Sequence, residues 1–222
     1  MTSSNILQLY HGSPDSELIP SYGGGKEYHD YGNGFYCVED VEMAKEWACQ
    51  RKDIAISYVY VYEFELSGLR PAMDLSSYEP AYWLSALAAH RYVSKEGALL
   101  KQRRERFINT FPVDLENIDY IKGWRADDQY FAYLRDFLRM DISYEAVIEA
   151  MKLGELGQQV VLISKNAYAN CRQVDRLTIK NDDYKAYFVQ YNERDSSARS
   201  AMDNARDVTG RSIEELINEG LK

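Results

Sequence analysis

Apolar and polar residues alternate most regularly over residues 57–66, Ser-Tyr-Val-Tyr-Val-Tyr-Glu-Phe-Glu-Leu. Tyr58, Tyr60, Tyr62, Phe64 and Leu66 share one face, and Val59, Val61, Glu63 and Glu65 share the other. A period of two predicts a strand. Shorter apolar runs predict strands over 6–10, 35–38, 118–122, 158–163 and 184–190. Between them the period lengthens. Val41, Ala44 and Ala48, with Trp47 alongside, follow Asp40 as N-cap and predict a helix. Residues 79–107 predict two helices broken near Ser94, and another helix runs through Leu138. Tyr144, Val147, Ile148 and Met151 are spaced i, i+3, i+4, i+7 after Ser143, and Leu153-Gly-Glu-Leu-Gly157 stops that helix. Ser212-Ile-Glu-Glu215 is a capping box that opens a last short helix. Two glycine-dense stretches, 21–25 and 30–34, predict turns.

No repeat, low-complexity stretch or Pro-rich linker divides the chain. The pattern predicts one α+β domain over residues 1–190, with a helical region inserted at about 79–155 and a polar helical tail over 191–222.

A formal net charge of −9 argues against binding through non-specific nucleic-acid electrostatics. The one dense basic run, Lys101 to Arg106, is interrupted by Glu105 and reads as a solvated helix face. Cys37, Cys49 and Cys171 lie far apart without a CxxC pair, which predicts neither a disulfide framework nor a zinc site and fits a reducing compartment. The first residues lack a basic segment followed by an apolar core, and no apolar run approaches the roughly 20 residues of a membrane helix. A cytoplasmic protein without a membrane partner is expected.

Taken singly, the candidate site residues are ordinary. A histidine closing a strand is most often structural, and Gly-Asn-Gly is most often a turn. Their order carries more. Leu9-Tyr10-His11-Gly12-Ser13, then Gly32-Asn-Gly-Phe-Tyr36, then Ala44-Lys-Glu-Trp47-Ala48 resembles the NAD-binding half of the poly(ADP-ribose) polymerase and diphtheria-toxin branch of ADP-ribosyltransferases, and Trp47 lies eleven residues after Tyr36, as the second ring does in the polymerases. With Gly123-Trp-Arg-Ala-Asp-Asp-Gln-Tyr-Phe131 and Leu156-Gly-Gln-Gln-Val-Val-Leu162, the chain also resembles a bacterial family of uncharacterised domains within that superfamily, over about residues 6 to 175.

The resemblance implies split mixed and antiparallel sheets, NAD as substrate and no metal. His11, Gly12, Ser13, Tyr36, Trp47 and Arg125 would bind NAD, and His11, Tyr36, Gln159 and Asp128 would serve the reaction. Gly12 would let the backbone approach the carboxamide, Tyr36 and Trp47 would flank the nicotinamide, and His11 would donate to a ribose hydroxyl. An oxocarbenium-like transition state would make acceptor alignment the main requirement.

Two departures bear on activity. Gln159 stands where the polymerases have a glutamate, which points to transfer of a single ADP-ribose, and Ala44 replaces a serine that binds the carboxamide. Arg125 would pair with the pyrophosphate, and Asp127 or Asp128 would supply a carboxylate, or else would cap the following helix. His29 and His90 read as surface or packing residues. Glu155 is a weak candidate acid.

The implied activity is mono-ADP-ribosyl transfer to a protein or nucleic-acid acceptor, by a toxin with a neighbouring antitoxin or regulatory partner, or by a defence factor. A binding module for NAD or ADP-ribose and an NAD glycohydrolase are the alternatives.

Overall fold

The computed structural model describes residues 5–25, 27–91, 97–126, 128–153, 157–204 and 208–220. Among these residues seven strands form two sheets. The first, order β1-β3-β7, joins Ile6–Ser13, Ile56–Glu65 and Cys171–Lys180 and is antiparallel throughout. The second, order β2-β6-β5-β4, joins Phe35–Cys37, Gln158–Leu162, Tyr120–Trp124 and Met73–Asp74. It is mixed, because β4 runs parallel to β5. The fold is α+β.

The long alternating strand β3 is central in its sheet, and apolar side chains from both of its faces are packed. Tyr60, Tyr62 and Phe64 pack with Leu9, Phe35 and Leu162 on one side. Val59 packs on the other with Ala44 and Ala48 of α1 (Val41–Ala48) and with Tyr184. Asp40 caps α1 as expected, its carboxylate accepting from the N–H of Glu42.

A third core is helical. It joins α2 (Pro80–His90), α3 (Ala98–Thr110), α4 (Asp128–Arg139) and α5 (Tyr144–Leu153) around Trp83, Leu87, Phe107, Phe137 and Val147. Strand β5 interrupts this helical region and pairs with β6. The predicted break near Ser94 falls at 92–96, outside the described residues. A short α6 (Lys165–Ala169) leads into β7, then α7 (Asn181–Asn204) and α8 (Ile213–Gly220) follow. Among the described residues no helix is long and apolar enough to cross a membrane.

The C-terminal third departs from expectation. Residues 184–190 belong to α7 and not to a strand: Tyr184, Tyr187 and Phe188 reach the core beside α1 at i, i+3, i+4 spacing. The residue-190 boundary therefore falls inside a helix. The C-terminal segment also buries apolar surface, since Ile213, Leu216 and Ile217 of α8 complete the helical core. Its capping box forms as read, with Ser212 N–H donating to Glu215 Oε2 at 2.8 Å and Glu215 N–H donating to Ser212 Oγ at 3.3 Å.

The basic run on α3 is not simply solvated. Arg103 donates to Glu214 at 3.0 Å and to the Leu138 carbonyl at 2.7 Å, and Arg104 donates to the Ala88 carbonyl. These arginines fasten α8 and satisfy carbonyls at helix ends.

Gly12 is fixed by packing. A Cβ there would stand 2.0 Å from the Ala44 carbonyl oxygen and 2.7 Å from the Ala48 nitrogen, so α1 lies directly on β1. Gly12→Ala should therefore destabilise the fold by about 3 kcal/mol, at the upper end of overpacking costs. Urea denaturation reads this, and an unchanged midpoint would mean that α1 can slide on the strand.

Candidate active site

Among the described residues the two sheets meet through one isolated bridge. Tyr10 and Val38 exchange both backbone hydrogen bonds, at 2.8 and 2.9 Å, and beyond them β1 and β2 belong to different sheets. His11 spans the divergence. Its Nδ1 lies 2.7 Å from the Tyr36 carbonyl oxygen, and its ring stacks on Phe35 with centroids 4.9 Å apart. A cleft of about 1040 Å³ opens there, and its lining draws on residues far apart in the chain: His11, Gly12, Ser13, Tyr36, Trp47, Arg125 and Gln159. Its volume is at the top of the roughly 300–1,000 Å³ usual for ligand pockets.

A carbonyl only accepts, so His11 Nδ1 carries the proton. Burial lowers the pKa of this imidazole, and the hydrogen bond to Tyr36 offsets only part of that. The neutral ring then has a bare Nε2. Toward a ligand hydroxyl this nitrogen would accept, whereas the resemblance implied a donor.

Tyr36 is committed through its hydroxyl, which donates to the Gly32 carbonyl at 2.7 Å and accepts from the Tyr31 N–H at 3.0 Å. This closes the 30–36 loop, whose turn uses Gly32 at φ +76°. Burial raises the phenol's pKa well above its ordinary value, so the group stays protonated. Only the ring is left to serve a ligand.

Trp47 and Arg125 meet at another wall. The guanidinium lies 4.6 Å from the indole centroid and covers one face of it. A nicotinamide stacked on Trp47 must use the opposite face or displace Arg125. Trp47 Nε1 is buried without a hydrogen-bond partner among the described residues. Beside it Glu46 is buried and ion-paired with Arg194 of α7 at 2.8 Å; burial raises its carboxyl pKa while Arg194 and Arg125 oppose that. Tyr191 and Asn192 bring α7 to the cleft.

Gln159 is 2% exposed and lies on the cleft floor. Its Nε2 donates to Asp30 Oδ2 at 2.9 Å and approaches the Trp124 carbonyl at 3.4 Å. Asp30, also buried, accepts from Ala126 N–H at 2.8 Å and from Arg91 Nε at 2.8 Å. Asp127 lies outside the described residues, as does Glu155. Asp128 begins α4, and its side chain lies outside the description as well.

Asp30, Arg91 and Glu46 carry no mark in the sequence as site residues. Asp30 and Glu46 stand inside its own motifs, one hidden among glycines that read as turns, the other beside the tryptophan that drew attention. His29 is half-buried at the cleft, and its ring packs 5.0 Å from that of Tyr36, the packing role open to it from the sequence. His90 does pack, against Gly32, where a Cβ would come within 2.8 Å of its ring.

Residues 7–172 match the family described as a protein of unknown function, DUF3990. The chain belongs to that family. No curated protein and no solved structure matches it. The DUF3990 segment contains every cleft residue named above except those of α7, and it ends just inside β7. Helix α7 thus adds Tyr191 and Asn192 to the cleft from outside the DUF3990 segment.

Proposed function

We propose that this chain binds NAD in the cleft between its sheets and transfers one ADP-ribose to a macromolecular acceptor, and that the two sheets are the split sheets of the ADP-ribosyltransferase fold. What supports the reading is convergence: His11, Tyr36 and Gln159, which the motif order singles out across the chain, all line one cleft.

Each residue has a role its chemistry allows. Tyr36 gives the nicotinamide a flat neighbour. His11 Nε2 and Gln159 Oε1 accept from ribose hydroxyls and hold the bent dinucleotide so that one face of C1′ is open. The glycosidic bond to nicotinamide breaks, nicotinamide leaves with the bonding pair, and the acceptor's nucleophile closes on C1′ from that open face and gives up its proton to solvent. Arg125 meets the pyrophosphate after leaving the indole face. His11 and Gln159 are neutral, so the developing positive charge is met by dipoles, with the buried Asp30 carboxylate behind Gln159.

Labelled NAD tests the reading. Calorimetry with about 1 mM NAD should detect binding in the micromolar to millimolar range, and incubation with cell extract should put label on a macromolecule. Free ADP-ribose in both the extract and the extract-free sample would make water the acceptor. Binding without either product would leave an NAD-binding module, and no binding would remove NAD altogether.

A further inference from the structure

We infer that Asp30 is a positioning residue: it fixes the side-chain amide of Gln159 so that the carbonyl oxygen, and not the NH2 group, meets the ligand in the cleft. A side-chain amide has two ends of the same shape and opposite hydrogen-bonding sense. Which end faces the ligand decides whether the site takes a donor or an acceptor. Here one end is set. Asp30 Oδ2 lies 2.9 Å from Gln159 Nε2, and the Trp124 carbonyl oxygen lies 3.4 Å from it. Both neighbours only accept, so turning the amide over would set its oxygen against two others.

The carboxylate is itself held. Arg91 donates to Oδ1 from Nε at 2.8 Å and holds a terminal guanidinium nitrogen 2.7 Å from the same oxygen as an ion pair, and Ala126 N–H donates to Oδ2 at 2.8 Å. Asp30 therefore cannot swing away and release the glutamine. The free end of Gln159 is Oε1, an acceptor with no hydrogen on it. The matching ligand group is a donor, a hydroxyl or an N–H. A carboxylate at position 159 would offer the same acceptor but would stand against Asp30, which accounts for glutamine here.

Naming that donor as a ribose hydroxyl rests on the NAD reading; the orientation of the amide does not. Four proteins separate the two: the wild type, Asp30→Asn, Gln159→Glu and the double variant. The first readout is the ratio of kcat/KM, or of affinity, for NAD against its analogue lacking the 2′-hydroxyl on the nicotinamide ribose. The wild type should favour NAD by about tenfold, the worth of one hydrogen bond to a buried acceptor. Asp30→Asn loses one of the fixed acceptors, so both amide orientations are populated and the ratio should fall to about threefold or less. The double variant should restore the ratio, because a carboxylate at position 159 accepts at both of its oxygens and offers an acceptor to the cleft whichever way it turns. A role confined to stability would lower both substrates alike, and an unchanged ratio in Asp30→Asn overturns the inference.

The second readout is the urea midpoint of the same four proteins at pH 7.5. Gln159→Glu should fall, and the added Asp30→Asn change should bring it back, since it removes one of two facing carboxylates. Should the wild type neither bind nor consume NAD, the proposed function fails, and this cycle alone judges the amide. Coupling between positions 30 and 159 then supports the lock, and strict additivity sinks it.

Discussion

Arg91→Met should cost about 3–5 kcal/mol of stability at pH 7.5, because it leaves a buried carboxylate without its counter-charge. The Arg91 and Asp30 side chains are 15% and 6% exposed, with 2.7 Å between their charged atoms. The same arginine donates to the Ala126 carbonyl at 2.7 Å, so the loss includes that bond. Methionine fills much of the volume of the arginine stem and isolates the electrostatic part. A second change identifies the cause. Adding Asp30→Asn to Arg91→Met removes the uncompensated charge and should recover much of the loss. Urea curves for the wild type and both variants at pH 7.5 measure it. A loss that persists in the double variant would be assigned to packing and to the Ala126 bond.

This expectation depends on two residues that no sequence pattern marked, and the reason is physical. Local order was readable because it is locally encoded. The alternation of 57–66 gives β3, Asp40 gives the start of α1, and Ser212 with Glu215 gives the start of α8. The paired glycine motifs likewise pointed to a real junction: Gly12 is required where α1 lies on β1, and Gly32 where the Tyr36 loop turns. Strand β7 had no such signal. It is an edge strand with most side chains exposed, and the register shift opposite Val61/Tyr62 breaks its alternation at Val174. Helix α7 did carry a signal, since Tyr184, Tyr187, Phe188 and Tyr191 are spaced as on one helix face. The apolar run within 186–189 masked it.

The site was legible as a set of residue types and not as a network. His11, Tyr36 and Gln159 line one cleft, yet the hydrogen-bonding sense of each depends on partners far away in sequence. The Tyr36 carbonyl decides the tautomer of His11, and Asp30, 129 positions from Gln159, decides the orientation of its amide. Such partners are chosen by tertiary packing. A carboxylate inside a glycine loop and an arginine at the end of α2 look like surface residues until the sheets close over them.

His11→Ala should lower kcat/KM for NAD consumption by about 10–100-fold, corresponding to about 1.5–3 kcal/mol for a hydrogen bond made as charge develops. The pH profile makes the test specific to the imidazole. Only the neutral ring leaves Nε2 as an acceptor, and burial depresses its pKa below the ordinary value of about 6.5. Wild-type activity should therefore stay level as pH falls through 6.5 and decline only below that, where the ring gains its proton. The Ala variant should lack that acid limb. Stability supplies an independent reading of the same group. Because the folded pKa lies below the unfolded one, the unfolded chain takes up the proton first, and the wild type loses stability relative to His11→Ala as pH drops from 6.5 toward the depressed value. Steady-state rates and urea midpoints measured between pH 5 and pH 8 give both curves. A wild-type acid limb centred at or above pH 6.5 would place the imidazole in water and take His11 out of the cleft; an Ala variant with full activity would remove it from the reaction.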